Sequence, residues 1–101
     1  MNTDVSIQSN SQTVTGTTTM FTLNDYSGVV LDYLVKNGSN MRAGTIVGIW
    51  DGSTSKLSET TTTDLGSTGV VTFTITNAGT VNAIVSSGTW TVVMLARAMS
   101  I

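Results

Sequence analysis

The sequence predicts an all-β protein: an antiparallel β-sandwich or jelly-roll-like barrel of seven to eight short strands with an extended N-terminal arm. Three observations lead there. Beyond Gly16, apolar and polar residues alternate with a period of two in segment after segment, the pattern of strands with one face in a core. Asn37-Gly38, Asp51-Gly52 and Asn77-Ala78-Gly79 punctuate these segments, and such residues supply the φ > 0 that tight turns need. No segment carries a helical period, and the Thr-rich, β-branched composition disfavours helix.

Residues 1–16, MNTDVSIQSNSQTVTG, are polar with scattered Val5, Ile7 and Val14. They read as an arm, which pays ~1–2 kcal/mol of backbone entropy per residue to become ordered and is expected to lie on a neighbouring subunit. Residues 17–101 form the single domain. In its first strand, Thr19, Phe21 and Leu23 share a face. Gly28 to Lys36 sets Val29, Leu31, Tyr33 and Val35 on one side and Val30, Asp32, Leu34 and Lys36 on the other. After the Asn37-Gly38 turn, Met41 to Trp50 returns, with Arg42, Ile46 and Trp50 alternating against Met41, Val47 and Ile49. Arg42 and Asp32, on adjacent strands of this hairpin, are placed to pair across it. A short strand near Lys56 to Thr61 precedes a turn cluster, Asp64 to Gly69. Val70 to Thr76 points Val71, Phe73 and Ile75 inward. Thr80 to Val85 follows, and Thr89 to Met99 is apolar on both faces, as in a strand that is central or lies at an interface.

Composition closes off whole classes of function. A chain of 101 residues with 40% hydrophobic side chains builds one core. Only 10% are charged, against roughly 25% in ordinary soluble domains, so charge repulsion guards this surface weakly against close neighbours. The cations Lys36, Arg42, Lys56 and Arg97 are scattered, which leaves no phosphate-neutralising cluster and no nucleic acid partner. No apolar run approaches the ~20 residues of a spanning helix, and the N-terminus lacks a signal-peptide pattern, so no membrane partner is expected and the chain is expected to be made in a cytoplasm. With neither His nor Cys, the commonest general base, transition-metal ligand and nucleophile are missing. The chain therefore reads as a non-enzyme without cofactor or metal. The acids support this: Asp25 and Asp51 sit at turns, where they bond their own backbone, and Asp51, Glu59 and Asp64 lack the spacing of a calcium loop. Trp50, Trp90, Tyr26 and Tyr33 could make a sugar-stacking platform, but their places in or beside strands favour core filling.

The run Ser27 to Gly52 resembles a recurrent module of tailed-bacteriophage virion proteins. The matching residues are Asp32, Tyr33, Val35 and Lys36, then Arg42, Gly44, Thr45 and Ile46, then Asp51 and Gly52, with Thr68-Gly69-Val70, Phe73 and Trp90 to Arg97 similar to its later strands. The resemblance implies a β-sandwich virion protein. Most simply it implies a capsid decoration (cement) protein on the outer capsid surface, bound to the major capsid protein and homo-oligomeric, with a trimer favoured. The alternative is a tail fibre, baseplate or head-fibre module that contacts the host surface or its glycans. On the cement reading the partner contacts are Met1, Val5, Ile7 and Val14 of the arm and Met94, Met99 and Ile101 of the last strand. Deleting Met1 to Ser11 is then expected to leave a folded domain that no longer binds its shell.

Overall fold

The computed structural model describes residues 4–101 and contains eight antiparallel strands. These are β1 (Val5–Val14), β2 (Thr17–Thr22), β3 (Gly28–Asn37), β4 (Asn40–Trp50), β5 (Ser55–Thr61), β6 (Val71–Ile75), β7 (Thr80–Val85) and β8 (Trp90–Met99). They form a five-stranded sheet in the order β1-β8-β3-β4-β5 and a three-stranded sheet in the order β2-β7-β6. The sheets stay open, so the architecture is the sandwich and not the barrel.

The inward rows are those the alternation predicts. Val29, Leu31, Tyr33 and Val35 of β3, Ile46 and Trp50 of β4, and Trp90, Val92, Met94 and Ala96 of β8 meet Phe21, Phe73, Ile75, Val81 and Val85 of the smaller sheet in one core. Gly38, at φ +61°, occupies the turn between β3 and β4, the first central position that a type II′ hairpin reserves for glycine. Gly79, at φ +86°, lies so close to the Trp50 indole that an added Cβ would sit 2.5 Å from it.

Two expectations are corrected. The segment expected to be an arm holds β1, which pairs without interruption along β8 from Val5↔Met99 to Val14↔Trp90. Its inward row of Ser6, Gln8, Asn10 and Gln12 is polar because β1 is an edge strand and its amides bond locally, Asn10 Nδ2 donating to Met20 O at 2.9 Å and Gln12 Nε2 to Asn10 Oδ1 at 3.0 Å. In β2 the register shifts between Thr19 and Phe21. This bulge buries Met20 beside Phe21 and leaves Thr19 exposed, so Thr19 does not share the face of Phe21 and Leu23.

Candidate interaction surface

The outer face of the five-stranded sheet has no second layer. Strand register arranges it in rows: Val5, Met99, Gly28, Ile49, Lys56; then Ile7, Arg97, Val30, Val47, Ser58; then Ser9, Leu95, Asp32, Thr45, Thr60; then Ser11, Val93, Leu34, Ala43. Apolar side chains thus run across the sheet with Ile7 70% and Ile49 60% exposed. Strands ~4.8 Å apart and ~3.3 Å of rise per residue give this face, polar rows included, about 700 Å². At its centre Arg97 lies 3.6 Å from Asp32, which also accepts a hydrogen bond from Thr45 Oγ1 at 3.1 Å. An exposed pair of this kind contributes ~0–1 kcal/mol and mainly fixes two side chains flat on the sheet.

Charge is segregated. Lys36, Lys56 and Arg97 lie on this face with Asp32 as its only acid, a formal +2 in a chain of net charge −2. The remaining acids lie elsewhere. Asp51 Oδ1 accepts the backbone N–H groups of Ser53 and Thr54 at 2.9 and 2.8 Å, which holds its carboxyl below the usual range.

A polar knot ties the far side of the sheet. Arg42 points inward from β4. Its Nε donates to Tyr33 Oη at 2.9 Å, Nη1 to Thr68 O and Oγ1 at 3.0 and 3.1 Å, and Nη2 to Val71 O at 3.0 Å. The Tyr33 phenol donates to the Glu59 carboxylate, and Arg42 Nη2 lies 3.6 Å from the same oxygen. Burial, reinforced by Glu59, pushes the Tyr33 phenol up to about 12, with Arg42 opposing. Gly44 makes the knot possible, since a Cβ there would sit 2.7 Å from Tyr33 Oη. Arg42 therefore pairs with Glu59 and not with Asp32, because the two members of the expected pair occupy opposite faces of the sheet.

The structure divides the expected contact residues. Val5, Ile7 and Met99 are exposed on the outer face, and Ile101 is exposed just beyond it. Val14 and Met94 are corrected: both are fully buried in the chain's own core and offer nothing to a partner. Met1 lies outside the described residues. Deleting residues 1–11 would strip Val5–Ser11 from β8, so it does not isolate an arm from a domain. Leu34, Val47, Ile49, Val93 and Leu95 are also exposed on this face and were not among the expected contacts, although the apolar character of both faces of β3, β4 and β8 was already in the sequence. Trp50, Trp90 and Tyr33 are core residues. A shallow cleft of about 390 Å³ at one end of the sandwich is lined by Tyr26, Trp50, Asn24, Asp51 and Asn77. Among the described residues no three acids gather as metal ligands. No protein-family model, curated protein or solved structure matches the chain.

Proposed function

We propose that this chain is a bacteriophage virion protein that decorates a capsid, docking the outer face of its five-stranded sheet on the major capsid protein from the outside of the shell. The observation that carries this reading is the uncovered face itself. Its area approaches the ~800 Å² per partner of a stable protein interface, and its exposed apolar residues flank a central Arg97–Asp32 pair, with Lys36 and Lys56 at its margins. Such a face fits a protein surface with apolar side chains around a polar centre and acids at its rim. Repetition over a shell turns modest single contacts into firm attachment. The residues that resemble phage virion modules lie mostly in β3, β4 and β8 of this sheet, with Thr68-Gly69-Val70 and Phe73 in and before β6 of the other.

The test is co-sedimentation with undecorated shells of the major capsid protein. Wild-type protein is expected to pellet with them. Val47→Glu with Leu95→Glu, both at exposed positions, should leave the thermal transition in place and abolish pelleting. Retention of that variant on shells overturns the docking face. A second reading, a tail or fibre module that binds host glycans, is favoured by the cleft that sets Tyr26 and the edge of Trp50 beside Asp51, Asn24 and Asn77. Retention on host envelopes, lost in Tyr26→Ala and unaffected by the sheet-face variant, would establish it in place of the first.

A further inference from the structure

We propose that the open edge of β1 is a self-association site, pairing antiparallel with β1 of a second copy about a two-fold axis through Ser9. The sandwich has four edge strands, β1, β5, β2 and β6, and three carry the devices that discourage edge-to-edge pairing. β5 carries Lys56 and Glu59, β2 is broken by the bulge at Met20, and β6 is 5 residues long. β1 has none of these. It is 10 residues long, VSIQSNSQTV, with no charge, no proline and no register shift.

Hydrogen-bond parity selects the partner. Ser100 N–H donates to Asp4 O at 2.9 Å, which makes that pair a hydrogen-bonded one. Alternation along an unbroken antiparallel ladder then turns the even-numbered amides of β1 to β8. The amides of Val5, Ile7, Ser9, Ser11 and Thr13 face the open edge. Ser9 is the middle of this set, so a two-fold axis there pairs Ser9 with Ser9, Ile7 with Ser11 and Val5 with Thr13 of the other copy, and every outward N–H and C=O finds a partner. The inner row is self-complementary in the same register: Gln8 meets Asn10 and Ser6 meets Gln12, amide or hydroxyl against amide, with no like charges opposed. The inferred symmetry is two-fold, where the resemblance alone implied three-fold, and it stands independently of shell binding.

The experiment uses the full chain, which has no cysteine. Ser9→Cys places the only thiol on the axis, where paired Cα atoms ~5.5 Å apart permit a disulfide. Thr60→Cys places one on β5 as a control. Under mild oxidation the first is expected to convert to a disulfide-linked dimer and the second to remain a monomer. By light scattering, wild-type protein should pass from twice the chain mass to the chain mass on dilution. Ser9→Pro removes an N–H that serves only the open edge, a place where strands tolerate proline, and should keep the thermal transition while running as a monomer. Wild-type protein that is monomeric at every concentration overturns the proposal. So does Ser9→Cys cross-linking no faster than the control, whether or not the proline variant folds, or an oligomer that Ser9→Pro leaves intact.

Discussion

Arg42→Ala tests how much the polar knot beneath the five-stranded sheet contributes to stability. The substitution removes four hydrogen bonds and the contact with Glu59. Charge-assisted bonds are each worth about 1.5–3 kcal/mol net, but the sum overstates the loss. Thr68 O retains the N–H of Val71, and the Tyr33 phenol retains Glu59. Glu59 is partly open to water and rehydrates. What remains is an orphaned Val71 carbonyl, a Thr68 hydroxyl without its partner, and the space the Arg42 stem filled. Together these amount to about 3–4 kcal/mol, a large part of the 5–15 kcal/mol of a typical domain. For a domain of this size that lowers Tm by roughly 12–30 °C, read by circular dichroism and by urea titration at constant m. Arg42→Met combined with Glu59→Gln should recover part of the loss, because removing both charges leaves no unpaired one near the core. A cost below about 1 kcal/mol for Arg42→Ala, or no recovery in the double variant, refutes the assignment.

Met94→Ala should cost about 2–5 kcal/mol, as a buried cavity does. Met99→Ala, on the same strand but half-exposed, should change stability by no more than about 0.5 kcal/mol, and urea titration of the two separates core from contact surface. Alkaline titration tests Tyr33. A phenol raised from 10.0 to about 12 in the folded state contributes stability that is fully present below pH 10 and is lost as pH rises through 12. The loss reaches roughly 3 kcal/mol at about 1.4 kcal/mol per pH unit. Urea midpoints measured across that window should fall in the wild type more steeply than in Tyr33→Phe, and equal slopes would dismiss the effect.

The sequence made the strands and their faces legible wherever alternation is strict and an apolar row meets the other sheet, as in β3, β4, β6 and the inward row of β8. It failed where the decisive contact is distant or polar. β1 hides because its inward residues are Ser, Gln and Asn and its partner is the last strand of the chain, so neither hydrophobic period nor local turn marks it. The bulge in β2 hides because Met20 and Phe21 both suit burial, and nothing local says which of them breaks the alternation. Arg42 reads as a surface partner for Asp32 until β5 and the loop at Thr68 are brought beneath it. The outer face of the five-stranded sheet was half visible. Val5, Ile7 and Met99 were found as isolated apolar residues, while Val47, Ile49, Val93 and Leu95 become a surface only once register lays four strands side by side.

The two proposed surfaces act on one another through geometry. A two-fold axis at Ser9 that pairs odd-numbered residues with odd-numbered residues runs perpendicular to the sheet, so both outer faces end on the same side of a continuous ten-stranded sheet, the sum of two five-stranded ones. The dimer then offers its shell two docking faces on one side of a continuous sheet, turned relative to one another by the twist of that sheet. Its second contact forms at high effective concentration, so avidity exceeds the affinity of either face. Since the seam adds no charge, the cationic margins at Lys36 and Lys56 remain free for the partner. This separates the roles by measurement: Ser9→Pro should weaken shell binding and make it single-site while leaving it detectable, whereas Val47→Glu with Leu95→Glu should remove it at every concentration. Equal binding by the Ser9→Pro monomer and the wild-type dimer would mean that only one face of the pair reaches the shell.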